Sequence, residues 1–313
     1  MSKLVSFVVP SFNEELNIRE VYKALTAVIA KTNYRYEIIY IDNGSSDGSF
    51  EIYKELAKKD ENVRAITYSR NFGYQMALKG GIDNAKGDCV VCIDGDLQDP
   101  PALILGFLEK WEAGFDVVYG IRKKRKGSRL MAFTYKLYYK IANSLSDISL
   151  PQDASEFALI DRKIADILKA LPEMNLYLRG LRYWCGFKQT GIEYTRNDRE
   201  RGKTKFNFAR NLELALDGIT GFSNKPLKML LYMGLICIFI SLLLMIYTVV
   251  IRLFYLNIAS PGWASILIAV VFFGGVQLFS LGIMGQYIGR IFTEVKQRPK
   301  YIINEIIEND KKA

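Results

Sequence analysis

The segment Asp94-Gly95-Asp96-Leu97-Gln98-Asp99-Pro100-Pro101 follows a short apolar run, Cys89 to Ile93. Two carboxylates flanking a glycine at the end of a strand can converge on a hard divalent cation together with a nucleotide diphosphate. Neutralising a leaving diphosphate is the chemistry such an ion supplies. A plain acidic turn, with Asp99 capping a helix opened by proline, accounts for Asp99 but not for the set. Two other strand ends carry residues of related kind: Pro10-Ser11-Phe12-Asn13-Glu14-Glu15, and Asp42-Asn43-Gly44-Ser45-Ser46-Asp47-Gly48. A carboxylate there can accept from a ribose hydroxyl or a base N–H, and the small residues after it let a turn approach a nucleotide. Ser46 or Asp47 is equally placed to cap the next helix.

The remaining composition narrows the chemistry. The chain has 313 residues, with 42 Lys+Arg against 33 Asp+Glu, a formal balance of +9, and no histidine. Ser-His-Asp hydrolysis, Cys-His chemistry, His-ligated zinc and imidazole acid–base catalysis are therefore excluded. Neither GxGxxG after the first strand nor GxxxxGK[ST] anywhere is present, so the dinucleotide and P-loop fingerprints are missing. The four cysteines form neither a disulfide framework nor a metal knuckle, and Cys89 and Cys92 read as small residues of a buried strand.

The elements that must position these residues alternate strand and helix. Leu4 to Val9, Tyr36 to Ile41, Val63 to Tyr68, Cys89 to Ile93 and Asp116 to Tyr119 read as strands. Asn17 to Lys31, Gly48 to Lys59, Tyr74 to Ala85 and Pro101 to Glu112 read as helices between them. This order predicts an α/β fold: a mainly parallel, Rossmann-like sheet with helices on both faces and a ligand site beyond the carboxyl ends of the strands. Composition changes near Leu227. Met229 to Ile251 is an uncharged run, and a second lies between Trp263 and Tyr287 after the turn Ser260-Pro261-Gly262, each of a length to cross a hydrocarbon core of roughly 30 Å. Lys225 and Lys228 precede the first span, and Arg290, Lys296, Arg298 and Lys300 follow the second. A two-helix hairpin with both termini and the α/β domain on the cytoplasmic side of the cytoplasmic membrane is expected. The predicted organisation is a domain over 1–210, an interfacial amphipathic segment over 211–228, two spans over 229–289 and a basic tail over 290–313.

VVPSFNEE, DNGSSDGS, SRNFG at Ser69 to Gly73 and DGDLQDPP together resemble the GT-A glycosyltransferases of family 2. RGKTKF at Arg201 to Phe206 and the DGITGFSNKPL entry into two spans narrow the resemblance to bacterial polyprenyl-phosphate glycosyltransferases, similar to dolichol-phosphate mannose synthase and the bactoprenol glucosyltransferases. It covers essentially the whole chain. The resemblance implies a GT-A fold, a UDP-sugar donor and undecaprenyl phosphate as acceptor, with Mg²⁺ or Mn²⁺ as cofactor. Pro10, Phe12, Glu14 and Asp42 would hold the uridine, Arg70 and Asn71 would border the donor pocket, and Asp94, Asp96 and Gln98 would form the metal and diphosphate site. The segment Asp153-Ala154-Ser155-Glu156-Phe157-Ala158-Leu159 stands where the family reads GDFRL, so Glu156 occupies the place of the catalytic Asp and Ala158 that of the Arg; Asp153 is a nearby substitute.

Two basic tracts complete the candidates. Arg122 to Arg129, including Lys123, Lys124, Arg125 and Lys126, suits a solvated loop, a nucleic acid or an anionic lipid; with membrane spans downstream, lipid phosphate is the better partner and no nucleic acid is expected. Arg196, Arg199, Arg201, Lys203 and Lys205 surround Gly202 and Thr204 and can clamp the donor diphosphate or the lipid phosphate. The glycines of the second span permit a homo-oligomer, a tetramer by resemblance. The reading is inverting, metal-dependent transfer of glucose, N-acetylglucosamine or another sugar from its UDP donor, with Asp96 and Glu156 or Asp153 as catalytic carboxylates. The rivals are a polysaccharide synthase, whose longer membrane region and QxxRW motif this chain lacks, and a non-catalytic adaptor or flippase subunit, which has no use for the acidic cluster.

Overall fold

The computed structural model describes residues 2–123, 154–174, 176–196, 225–254 and 262–309, and the chain divides into two compact units. The first unit is built on an eight-stranded sheet, in the order β7-β5-β6-β4-β1-β2-β3-β8. Its strands are β1 (Leu4–Ser11), β2 (Arg35–Asp42), β3 (Val63–Tyr68), β4 (Cys89–Cys92), β5 (Val117–Arg122), β6 (Ala154–Asp161), β7 (Gln189–Tyr194) and β8 (Ile303–Ile307). β1 pairs in parallel with β2 and β4, β2 with β3, and β5 with β7; β6 runs antiparallel between β4 and β5, and β8 antiparallel along β3. The central strands read as continuous apolar runs because both of their faces are covered.

One face carries α1 (Ile18–Ile29), α2 (Ser49–Lys59) and α4 (Leu103–Glu112), whose apolar stripes join Val5, Phe7, Val9, Phe157 and Leu159 in a single core. The opposite face carries α3 (Tyr74–Asn84), with α5 (Arg162–Ala170) and α6 (Leu178–Trp184) packed beside it. α3 lies close to the sheet because Gly80 and Gly81 have no side chain: a Cβ at Gly81 would collide with Val8, and one at Gly80 with the Tyr68 hydroxyl. The predicted first five strands and four helices are all present. Cys89 and Cys92 are buried in β4 with free thiols.

The sheet is wider than the sequence suggests. β6, β7 and β8 were not among the expected strands, and residues 297–309, part of the tail expected over 290–313, belong to the first unit because β8 completes its edge. Tyr301 stacks on Tyr68 at 4.8 Å and donates from its hydroxyl to Asp83 at 3.0 Å. The Ser69 amide donates to the Ile302 carbonyl at 3.0 Å, so this segment also fixes the start of the loop after β3.

The second unit contains α7 (Lys225–Phe254) and α8 (Trp263–Val295), which pack against each other. Both are long and apolar enough to cross a membrane, and exposed side chains such as Leu231, Ile238, Phe272 and Leu278 bury nothing in a soluble core. At about 1.5 Å per residue, each exceeds the roughly 30 Å of a hydrocarbon core.

Candidate active site

Three loops meet at the carboxyl ends of β1, β2 and β3. Asp42 closes β2 and is 4% exposed; its carboxylate accepts from the Ser45 amide at 3.2 Å. Burial pushes the Asp42 carboxyl above its ordinary range, against the lowering effect of the Ser45 bonds. The β1 loop is stitched to this turn: the Asn13 amide donates to Ser45 Oγ at 2.8 Å, and the Ser46 amide donates to Asn13 Oδ1 at 2.9 Å. The β3 loop joins through Asn43, whose Nδ2 donates to Asn71 Oδ1 at 3.1 Å and whose Oδ1 accepts from the Phe72 amide at 2.9 Å. Gly44 makes the approach possible. Its φ is +76°, and a Cβ there would lie 2.7 Å from the Arg70 carbonyl carbon.

The expected donor residues are thus brought to one edge, with different immediate duties. Pro10 is buried at the end of β1, while Phe12 is 45% exposed just beyond it and presents an aromatic face to solvent. Glu14 opens α1: its carboxylate accepts from Asn17 Nδ2 at 2.5 Å and its carbonyl from the Asn17 and Ile18 amides. The Arg70 guanidinium lies over the Phe72 ring at 4.1 Å, and Asn71 Oδ1 also accepts from the Gly73 amide at 2.9 Å.

The second cluster follows β4. Asp94 accepts from the Tyr74 hydroxyl at 2.5 Å, and Asp96 from the Gln98 amide at 3.2 Å across a turn in which Leu97 has φ 55°. Asp99 does not cap α4. Its side chain is wholly buried and accepts from the Tyr194 hydroxyl at 2.5 Å and from Arg122 Nη2 at 3.4 Å, with Arg196 Nε at 3.6 Å. Arg122 Nε also donates to the Tyr194 hydroxyl at 3.0 Å. Three carboxylates therefore face two guanidiniums at the ends of β4, β5 and β7. Burial, with the charges of Asp99 and Asp96, pushes the Asp94 carboxyl up to about 6, against the lowering effects of the Tyr74 bond and of Arg122.

The donor set suits a hard divalent cation. One nitrogen, Arg196 Nη2, lies 3.9 Å from Asp94 and 3.8 Å from Asp96, so both carboxylates already converge on a single positive centre. Among the described residues no group of three or more His, Cys, Asp or Glu is arranged around an ion site. Mg²⁺ and Mn²⁺ favour oxygen ligands, and Mg²⁺ is commonly held by one or two carboxylates with water and substrate phosphates completing its shell.

The model of the family described as glycosyl transferase family 2 matches residues 6–168, which include the loops after β1, β2 and β3 and the carboxylates Asp94, Asp96 and Asp99. The chain belongs to this family. Three relatives align along nearly its whole length. The uncharacterized glycosyltransferase YkcC of Bacillus subtilis is 44% identical over 96% of this chain and 93% of its own. An uncharacterized glycosyltransferase of Synechocystis is 39% identical over 96% and 95%. A prophage-derived bactoprenol glucosyl transferase of Shigella flexneri is 40% identical over 96% and 97%. The α/β sheet with its acidic strand-end cluster is accordingly the GT-A domain of a transferase.

In this glycosyltransferase Glu156 projects from β6, and its carboxylate accepts from Gln75 Nε2 at 3.2 Å. Gln75 Oε1 in turn accepts from the Leu178 amide at the start of α6 at 2.9 Å. The first turn of α3 therefore supplies two adjacent side chains, Tyr74 and Gln75, that hold Asp94 and Glu156. Neither was among the expected site residues; their one signal is their position immediately after Gly73, whose φ of 94° starts the helix. Asp99 and Tyr194 were also missed as site residues, because their partners are distant in sequence. Arg129, Asp153, Arg199, Arg201 and Lys205 lie outside the described residues, as do 211–224 of the expected interfacial segment.

Proposed function

We propose that this family 2 enzyme transfers a sugar from a UDP-sugar to undecaprenyl phosphate, with inversion, and releases UDP. The observation that carries the reading is the convergence of Asp94, Asp96 and Asp99 with Arg122 and Arg196 beside Glu156, next to the nucleotide-type loops of β1 and β2. Relatives named bactoprenol glucosyl transferase support the lipid acceptor and favour glucose as the sugar; two helices able to cross a membrane bring such an acceptor within the protein's reach.

Asp94 and Asp96, with Gln98 beside them, would hold Mg²⁺ or Mn²⁺. The bound ion supplies charge neutralisation to the departing diphosphate. Phe12 offers a ring face to the uracil, and the buried Asp42 offers an acceptor to it or to the ribose. Arg122 and Arg196 carry guanidinium donors matched to phosphate oxygens. Arg196 Nε is buried and makes no hydrogen bond, with the Asp99 carboxylate at 3.6 Å.

A phosphate monoester has its second pKa near 6, so the acceptor is mostly a dianion at neutral pH and needs little activation. One of its oxygens attacks the anomeric carbon from the face opposite the diphosphate; the bond from that carbon to the diphosphate oxygen breaks, and its electron pair leaves with UDP. Glu156 receives the proton from any acceptor that arrives monoprotonated. A single displacement inverts the anomeric centre and requires no covalent enzyme intermediate. The positive flanks of the helices support a topology with the catalytic unit and both termini on the cytoplasmic side. Gly274, Gly275, Gly282, Gly285 and Gly289 have open space at their Cβ positions, which suits packing between copies in a homo-oligomer.

The test is recovery of labelled lipid-linked sugar in the organic phase after incubating detergent-purified protein with UDP-glucose, undecaprenyl phosphate and Mn²⁺. Wild-type protein is expected to form it and Asp96→Asn to lose at least about 100-fold in rate, as when a group stabilising transition-state charge is removed. Equal product from Asp96→Asn would contradict the assignment.

A further inference from the structure

Arg182 is the only arginine among the described residues that is buried, at 6% exposed, and it lies in neither charged cluster. A guanidinium withdrawn from water needs both hydrogen bonds and a compensating charge. Its Nη2 donates to the Ser155 carbonyl at 3.1 Å, and its guanidinium lies 5.6 Å from the centre of the Tyr119 ring.

The sheet register explains why it fits there. Ala158 pairs with Cys92 on one side and Tyr119 on the other, so these three form one row across β4, β6 and β5. Phe157 and Leu159 point into the core on the opposite face, which places Ala158 and Glu156 together on the α6 side. Cys92 and Tyr119 flank Ala158 in that row, and Arg182, coming from α6, lies near Tyr119 and close enough to act on Cys92. Burial, and Arg179 with it, lowers the Arg182 pKa, and Glu156, ahead of Cys92, leads the groups that oppose this. The other polar and charged neighbours of Glu156 are Gln75 and Tyr74 from α3, Cys92 from β4 and Asp94 beyond it. Arg179 also lies close enough to act on Arg182, but its own bonds run to the Tyr177 hydroxyl and the Ala154 carbonyl.

We propose that Arg182 is a positioning residue for the Glu156 carboxylate: it grips the peptide preceding Glu156 and places a buried positive charge beside it. Gln75 holds the carboxylate from one side, and Arg182 fixes its strand and field from the other. This inference rests on the role given to Glu156 above.

The experiment is single-turnover sugar transfer to undecaprenyl phosphate by Arg182→Met, Arg182→Lys, Glu156→Gln and the Arg182→Met/Glu156→Gln pair, with kcat and the KM for the UDP-sugar measured for each single variant. Coupling through one carboxylate predicts that R182M lowers kcat by about 10- to 100-fold while KM changes less than about twofold, and that it adds less than about threefold to E156Q. R182K is expected to recover part of the rate. A folded R182M with wild-type kcat overturns the proposal, as does a loss of equal size in the wild-type and E156Q backgrounds. If R182M does not fold, the same comparison is made with R182K, and equal losses in both backgrounds, or no loss in either, overturn it. Wild-type activity in E156Q would instead remove the role assigned to Glu156 itself.

Discussion

Replacing Asp94 with Asn is expected to stabilise the metal-free enzyme while abolishing transfer. Burial raises the Asp94 carboxyl from 3.8 to about 6, so the folded protein holds this proton more tightly than the unfolded chain. Between those values the folded state binds more protons, and stability contributed by this group falls as pH rises from about 4 to about 6. A shift of about 2 units at 1.36 kcal/mol per unit makes the ionised carboxylate cost about 3 kcal/mol above pH 6. Asparagine keeps an acceptor for the Tyr74 hydroxyl and carries no charge to desolvate. Urea unfolding of detergent-solubilised protein in EDTA, followed by tryptophan fluorescence, measures the difference directly. D94N is expected to exceed wild type by about 2–3 kcal/mol at pH 7.5, with the gap closing near pH 4, where Asp94 is neutral in both states. Added Mn²⁺ should raise wild type alone, since only ligand binding to the folded state stabilises it. Equal stabilities at pH 7.5, or a gap that does not depend on pH, would refute this account of the acidic cluster.

Three further outcomes follow from the same geometry. Gly44→Ala places a Cβ against the Arg70 backbone at positive φ and is expected to cost about 1–3 kcal/mol and to raise the KM for the UDP-sugar, read by unfolding and initial rates. Tyr301→Ala removes the stack on Tyr68 and the bond to Asp83; it is expected to cost about 2–3 kcal/mol and to increase hydrogen exchange along β3 and at Ser69. Arg196→Ala removes a cation shared by Asp94, Asp96 and Asp99, and UDP binding measured calorimetrically in the presence of Mn²⁺ is expected to weaken about 10-fold or more.

What was legible in the sequence follows from which forces are local. β1 to β4 are short runs rich in apolar and β-branched residues bounded by turn residues, and α1, α2 and α4 carry their apolar stripes at helical spacing, so the order of the domain and the strand-end location of its site were readable. β6 was not, because its first residues, Ala154-Ser155-Glu156, are small or polar and become a strand only between β4 and β5. β8 was hidden for a similar reason: a five-residue segment after a membrane-type helix acquires its pairing only from the edge of β3. Asp99 looked like a helix cap, but its partners Arg122 and Tyr194 come from β5 and β7, which are remote in sequence. The Asp94–Asp96 pair was readable because its chemistry is written in adjacent residues. The Gln75–Glu156 and Arg182–Ser155 contacts were not, because they depend on how α3 and α6 meet the sheet.

The most direct test of the central claim is UDP release by detergent-purified protein with Mn²⁺ or Mg²⁺, across a panel of UDP-sugars, with and without undecaprenyl phosphate. Release that requires the lipid and one preferred sugar donor is the expected result. Folded, metal-loaded protein that releases no UDP with any donor in the presence of the lipid would contradict it.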